Sequence, residues 1–347
     1  YPGDWGENDL IGGGSIFSLI AVDESTGIIY FPTGAPALSY DASLRPGPNL
    51  YTNSIVALDA NTGKMIWYHQ TTPHDINGHE PARSLILANA TVNGEERKVI
   101  LSSTKGDYAY VFDAATGELL HDPISFGAQK ISAYNTNQGN NADMELSQTV
   151  LEGRDYCPGA FGGAASTSAF ADNTFFVASQ NYCSKFNVGQ VPYKDKLING
   201  FQIEPSLIGQ SSTVHAIDVS TGEIKWTFPI ESRYQGGITV SGGVVYLVDI
   251  SGNFYALDSE TGDVLKKIPM NGAGNTGVTI ASDANGDMRL YIATGGSKSG
   301  IITALGLPDT LTTEDEGISR RGLIGSIALT SIVGLLYLAF LRFYRKN

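Results

Sequence analysis

Residues 54–67 read SIVALDANTGKMIW, and this segment decides the fold class. The apolar, β-branched run before Asp59 predicts a strand, residues 59–63 predict a tight turn, and the residues up to Trp67 predict a second strand. In such a turn the aspartate side chain accepts hydrogen bonds from backbone amides, and Gly63 adopts a positive φ. The segment therefore predicts an antiparallel β-hairpin.

The same pattern of a hydrophobic pair, an aspartate, two variable residues and Thr-Gly occurs five times, with the aspartates at Asp23, Asp59, Asp113, Asp218 and Asp258. Most intervals between them are close to the roughly 40–50 residues of a propeller blade. We expect the long interval before Asp218 to contain a degenerate blade, with residues 168–179 forming two strands around an Asp-Asn turn. The repeats predict an all-β propeller of four or five blades, an incomplete ring whose open edges need a cover.

Composition agrees with this fold and disfavours one class of partner. The chain has 347 residues, 41 glycines and only 16% charged residues, as expected for many short strands and turns. Its formal net charge is −13 and the part before the C-terminal apolar stretch shows no basic patch, which argues against a nucleic-acid partner.

An uncharged stretch near the C-terminus predicts a membrane anchor. Residues 322–341 read GLIGSIALTSIVGLLYLAFL, and a helix of this length spans roughly 30 Å of hydrocarbon. The predicted domains are propeller blades at 1–305, a linker at 306–321, the single-pass helix and a cytoplasmic tail at 342–347 that carries Arg342, Arg345 and Lys346. The propeller is then extracytoplasmic in the cell membrane. In that compartment a disulfide between Cys157 and Cys183 is favoured over two buried thiols.

Several further segments carry a family resemblance: YFPTG at residues 30–34, TTPHD at 71–75 and DYCPGAFGG at 155–163. With the repeats, they make nearly the whole propeller similar to the C-terminal half of the quinoprotein methanol and alcohol dehydrogenases. The resemblance implies an eight-bladed propeller with pyrroloquinoline quinone and calcium on its axis and a catalytic aspartate. It also matches Cys157 and Cys183 to a family disulfide.

Two positions of the resemblance keep side chains suited to a quinone. Phe17 stands where the family stacks a tryptophan under the quinone, and Lys105 stands where the family places a cation against the quinone carbonyls. Ala165 and Ser166 replace an asparagine and a tryptophan that touch the cofactor in the family.

The positions that hold calcium and the catalytic base are lost. Ala35 replaces a calcium-binding asparagine, and an alanine side chain has no oxygen to donate. Gly78 replaces the catalytic aspartate and can neither accept a proton nor bind metal. We therefore expect no catalytic residue and neither quinone nor calcium.

Two other patterns predict a metal site and a glycosylation site. His74, Asp75, His79 and Glu80 are of the residue types that bind transition metals, although His74 and Asp75 also belong to the TPHD turn of the family. Asn89-Ala90-Thr91 is an acceptor sequence for N-glycosylation. The aspartates of the repeats are interpreted as turn caps without chemistry.

The resulting hypothesis is a membrane-anchored, catalytically degraded quinoprotein-like propeller that serves as a structural subunit. Its partners would be other subunits of a membrane complex or the missing N-terminal half of the ring. The alternative is an active quinone-dependent alcohol dehydrogenase in which Phe17 and Lys105 hold the cofactor and His79 or Glu80 replaces the missing base.

Overall fold

A computed structural model describes residues 5–6, 12–16, 19–37, 45–127, 155–193, 196–296, 299–306 and 339–341. Within these ranges the regular secondary structure consists of β-strands, which form five antiparallel sheets. The strands of each sheet follow one another in chain order, apart from one short extra strand in the third sheet. The all-β, propeller-like prediction is confirmed for this part of the chain.

The first two sheets come from the N-terminal third of the chain. Sheet 1 contains β1 (Ala21–Asp23), β2 (Ile28–Pro32), β3 (Ser54–Asp59) and β4 (Met65–Gln70). Sheet 2 contains β5 (Pro81–Val92), β6 (Glu95–Thr104), β7 (Tyr108–Asp113) and β8 (Ile124–Ser125).

The other three sheets complete the described fold. Sheet 3 contains β9 (Asp155–Tyr156), β10 (Ala169–Ala171), β11 (Thr174–Tyr193), β12 (Lys196–Asp218) and β13 (Ile224–Ile230), with β9 paired to β11. Sheet 4 contains β14 (Thr239–Ser241), β15 (Val244–Val248), β16 (Asn253–Asp258) and β17 (Val264–Pro269). Sheet 5 contains β18 (Thr279–Ser282), β19 (Met288–Gly296), β20 (Ser299–Leu305) and β21 (Ala339–Leu341).

The repeated aspartates cap turns, as predicted. Asp59 Oδ1 accepts hydrogen bonds from the backbone N–H groups of Asn61 at 2.9 Å and Thr62 at 2.7 Å, and Gly63 has a φ of +69°. Four of the five aspartates join the third and fourth strands of a sheet, whereas Asp23 joins the first and second strands of sheet 1. Asp23 and Asp59 therefore belong to one blade, so the count of motifs is not a count of blades.

The expected degenerate blade before Asp218 is wrong for the described residues. Residues 168–179 do contain two strands around Asp172 and Asn173, but these are β10 and the start of β11 in the same sheet as Asp218. Part of the long interval is a hairpin in which β11 has 20 residues and β12 has 23. Sheet 5 lacks the repeat motif. Its first turn is instead capped by Asp283, whose Oδ1 accepts a hydrogen bond from Asn285 N at 2.8 Å.

Hydrophobic cores lie between consecutive sheets, as between the blades of a propeller. Four clusters join sheet 1 to 2, sheet 2 to 3, sheet 3 to 4 and sheet 4 to 5. Two tryptophans strengthen these junctions: Trp67 Nε1 donates to Ala114 O at 2.9 Å, and Trp226 Nε1 donates to Ser259 O at 3.0 Å, each in the next sheet. A Cβ atom on Gly262 would lie 2.8 Å from the Trp226 ring, so this packing requires glycine there.

The predicted membrane segment lies outside the described residues except at its end. Ala339, Phe340 and Leu341 form β21 and pair with Ala304, Thr303 and Ile302 of β20, where a helix was predicted. None of the described residues belongs to a helix long and apolar enough to cross a membrane. The linker beyond residue 306 and the tail at 342–347 fall outside the described residues.

Candidate functional site

The sites predicted from the sequence gather at one end of the sheets. In an antiparallel meander, alternate turns lie at the same end. The aspartate turns occupy one end, and the opposite end carries the loops from strand two to strand three and from each sheet to the next. Residues 71–80, 104–107 and 157–168 all belong to these opposite loops, which we call the site loops.

Asp75 organises the first site loop. Its Oδ1 accepts hydrogen bonds from Asn77 N at 2.8 Å and Gly78 N at 3.1 Å, and its Oδ2 accepts from His79 N at 2.8 Å and Asn53 Nδ2 at 2.7 Å. The carboxylate is 1% exposed, and four donors occupy its lone pairs. Asp75 therefore holds the loop together and has no oxygen left for a proton or a metal.

Lys105 and Glu80 form an ion pair between two site loops. Lys105 Nζ lies 3.2 Å from Glu80 Oε1, and each side chain is 12% exposed. The backbones are joined as well, since Lys105 N donates to Glu80 O at 3.1 Å. Burial raises the pKa of Glu80, against the opposing effect of the Lys105 charge. The structure thus brings together two residues that the sequence assigned to different roles.

His79 connects this pair to the loop that precedes β10. Its Nε2 lies 3.3 Å from Pro158 O, and burial lowers the pKa of its ring. In the same loop Gly163 packs on Lys105 so closely that a Cβ atom would overlap the Lys105 carbonyl oxygen. The loop is fixed to β11 by the disulfide between Cys157 and Cys183, which confirms the predicted pairing.

The other predicted site residues make structural contacts. Ala35 O accepts from Gly14 N at 3.1 Å, and Ser166 Oγ donates to Tyr234 O at 3.2 Å. Ala165 N donates to Gly163 O at 2.9 Å. His74 Nδ1 bonds Gly47 O at 2.9 Å. Phe17 lies outside the described residues.

Comparison with known proteins assigns the family. Residues 2–126 match the PQQ family described as glucose/ethanol/alcohol dehydrogenase, beta-propeller domain. Residues 127–307 match the PQQ_2 family described as outer membrane protein assembly factor BamB. The chain belongs to the PQQ-type β-propeller family. Within that family it is a distant relative of the quinoprotein methanol and alcohol dehydrogenases.

Individual relatives of this PQQ-type propeller are longer than the chain. It is 29% identical over 351 residues to the putative dehydrogenase XoxF of Paracoccus denitrificans, which covers 95% of the chain and 57% of that protein. It is 27% identical to the lanthanide-dependent methanol dehydrogenase of Methylorubrum extorquens, with the same coverage. The chain thus spans little more than half the length of these relatives.

Solved structures show the same fold. A europium-containing methanol dehydrogenase superposes with a TM-score of 0.68 and 20% identity over 85% of this chain and 55% of that one. The quinohemoprotein alcohol dehydrogenase of Comamonas testosteroni gives a TM-score of 0.68 and 22% identity over 82% of this chain and 45% of that one.

The site loops of this PQQ-type propeller do not fit calcium. Calcium takes six to eight oxygen ligands, but Ala35 and Gly78 have no side-chain oxygen, and the oxygens of Asp75 are already bonded. The described residues contain no cluster of three or more His, Cys, Asp or Glu side chains that would hold a metal. The predicted alternative site at His74, His79 and Glu80 is not assembled either.

Sequence reasoning missed one titratable group of this propeller. Asp107 follows Lys105 by two residues, is 4% exposed, and accepts a hydrogen bond from Ser179 Oγ of sheet 3 at 2.6 Å. Burial raises its pKa to about 7. Its local sequence, Lys-Gly-Asp, resembles any exposed turn, so no signal distinguished it. The sequon residue Asn89 is exposed on β5.

Proposed function

We propose that this PQQ-type propeller is a non-catalytic subunit of a membrane complex, a binding scaffold that keeps the quinoprotein fold without quinone chemistry. The proposal rests on the geometry of the first site loop, residues 71–80. Gly78, which the resemblance places at the position of the catalytic base, has a φ of +72°, and the neighbouring carboxylate of Asp75 is fully hydrogen-bonded, mostly to the loop itself.

Alcohol oxidation needs a proton acceptor within hydrogen-bonding reach of the substrate hydroxyl. Gly78 has no acceptor, and the Asp75 oxygens bind four N–H groups of their own. His79 is bonded at Nε2 to Pro158 O and packs against Gly106. None of these three residues therefore offers an acceptor that is free to take the proton.

Two features support a role in assembly. Apolar side chains are exposed on the sheets at both ends of the row, including Val22 and Tyr68 on sheet 1 and Ile302 on sheet 5. The two dehydrogenase relatives named above are nearly twice as long as the chain. We propose that further blades, from additional sequence or from another subunit, cover these outer sheets and complete an eight-bladed ring.

We further propose that residues 322–341 anchor the propeller on the extracytoplasmic side of the membrane. The segment is uncharged and long enough to span the hydrocarbon. A spanning helix would have to give up the pairing between Ala339–Leu341 and β20.

The test is direct analysis of the full-length protein purified from membranes. We expect no stoichiometric quinone by absorbance, no stoichiometric calcium or lanthanide by elemental analysis, and no dye reduction when quinone, alcohol and either Ca²⁺ or La³⁺ are added. La³⁺ is included because a relative is described as lanthanide-dependent. Bound quinone with an ion, or turnover after reconstitution, would refute the proposal.

A second candidate is an active quinone-dependent dehydrogenase in which Glu80 serves as the base. The observation that favours it is the raised pKa of Glu80 beside a lysine, a combination typical of catalytic carboxyls. In that case Glu80→Gln would abolish turnover while leaving quinone binding intact. With a non-catalytic scaffold, there is no turnover to lose.

A further inference from the structure

We propose that the Glu80 carboxylate pairs with the Lys105 ammonium group and thereby keeps an anionic quinone out of the site loops. This inference rests on the proposed non-catalytic function and gives a physical cause for it. Lys105 is the cation that the family resemblance places against the quinone carbonyls, and in this chain its ammonium group already faces a carboxylate.

The contact is well placed to compete with a ligand. Lys105 Nζ is 3.2 Å from Glu80 Oε1, and both side chains are 12% exposed, so little water weakens their attraction. Glu80 is part of the same molecule, and an intramolecular partner acts at a high effective concentration. A quinone would have to displace it before it could use Lys105.

Charge adds to this competition. Pyrroloquinoline quinone is a polycarboxylate, and Glu80 and Asp75 would place two further carboxyl groups beside it. If the quinone took Lys105, the Glu80 carboxyl would be left buried without a counter-charge, which is strongly unfavourable. Glu80 therefore opposes the ligand both by occupying the lysine and by electrostatic repulsion.

The Glu80 side chain is not needed to hold the loop. The loop is organised by the backbone bonds to Asp75, and the bond from Lys105 N to Glu80 uses only the main-chain oxygen. Glu80 Oε2 is buried and has no hydrogen-bond partner within the described part of the chain. Glutamine keeps a side-chain oxygen that can accept a hydrogen bond from Lys105 Nζ, so Glu80→Gln is expected to preserve the fold while it removes the negative charge.

The experiment compares quinone binding by the full-length protein and its variants. Pyrroloquinoline quinone is titrated by calorimetry and by quenching of tryptophan fluorescence, in the absence of metal and with Ca²⁺ or La³⁺. We expect Glu80→Gln to bind the quinone at least tenfold more tightly than the unmodified protein in every condition. The double variant Glu80→Gln, Lys105→Met should lose the gain, because the freed lysine is what the quinone binds.

Asp23→Asn is the matched control. It breaks another lysine–carboxylate pair, Lys98 to Asp23 at 2.7 Å, at the opposite end of the sheets, and should leave quinone affinity unchanged. A second readout does not depend on the quinone: acetic anhydride should modify Lys105 several-fold faster in Glu80→Gln than in Asp23→Asn, as measured by peptide mass spectrometry.

The outcomes separate the two proposals. If Glu80→Gln neither binds quinone more tightly nor exposes Lys105 to acetylation, the inference about Glu80 is overturned while the non-catalytic function stands. If the unmodified protein itself binds quinone tightly, with or without an ion, the proposed function fails and this inference fails with it.

Discussion

Asp107 shows how one buried carboxyl makes stability depend on pH. Burial raises its pKa to about 7, well above the usual range of an aspartate. Between the usual pKa of an aspartate and about 7, the unfolded chain releases a proton that the native state keeps. The contribution of Asp107 to the free energy of unfolding is therefore greatest at low pH and falls as the pH rises through this window. Two pH units within that window correspond to about 3 kcal/mol.

We therefore predict that Asp107→Asn removes this pH dependence. Asparagine retains an acceptor for Ser179 Oγ and does not ionise. Urea unfolding at pH 5 and pH 8 should show the unmodified protein losing about 3 kcal/mol relative to the variant. Glu260→Gln, at an exposed turn, serves as the control and should follow the unmodified protein. If the free energy of unfolding of Asp107→Asn changed between pH 5 and pH 8 as much as that of the unmodified protein, the assignment would be contradicted.

Gly163 offers a second prediction, on the contact between the site loops. Its φ of +71° matches the +69° of Gly63, so alanine meets the same backbone strain at both positions. Only at Gly163 would the new Cβ overlap another group, the Lys105 carbonyl, whereas nothing lies within 4 Å at Gly63. We expect Gly163→Ala to cost about 2 kcal/mol more than Gly63→Ala in thermal or urea unfolding. Equal costs would show that the loops separate easily.

At the scale of elements, short-range hairpins were predictable and long ones were not. The turns at Asp59, Asp218 and Asp258 follow from a few neighbouring residues, because the capping bonds are local. Beyond Tyr182, β11 and β12 pair from Ser184↔Pro205 to Tyr193↔Lys196, in a segment that contains no copy of the repeat motif. Sheet 5 lies within the predicted propeller but has no copy of the repeat motif, because Asp283 caps a different turn in a different sequence context.

The stability of the loop that precedes β10 depends on the redox state of its cysteine. The disulfide between Cys157 and Cys183 closes a loop with a sequence separation of 26, which by chain entropy stabilises the fold by about 3.5 kcal/mol. We predict that the free energy of unfolding of the double variant Cys157→Ser, Cys183→Ser, measured with urea, is lower by this amount. Hydrogen exchange should rise at residues 157–163 and at His79, which bonds Pro158 O. Unaltered exchange at His79 would show that its loop is held independently.

At the scale of the whole molecule, the family resemblance located the site loops, and the structure showed how they interact. The losses predicted at Gly78 and Ala35 come from that resemblance, since a missing side-chain oxygen is visible in a single letter. The ion pair between Lys105 and Glu80 joins the start of one strand to the end of another, and neither periodicity nor motif spacing reports such a contact. Asp107 was missed for the same reason, because its burial comes from sheet 3.

The C-terminal segment has two incompatible roles for its last residues, a membrane helix or the fourth strand of sheet 5. We predict that deletion of residues 322–347 moves the protein from the membrane fraction to the carbonate-soluble fraction, because 20 uncharged residues supply the attachment. The free energy of unfolding of the propeller should change by less than about 1 kcal/mol, since β21 contributes only three paired residues. The matched control deletes only the charged tail, 342–347, and should remain in the membrane. A truncated chain that stays in the membrane and unfolds more easily would instead assign Ala339–Leu341 to the sheet.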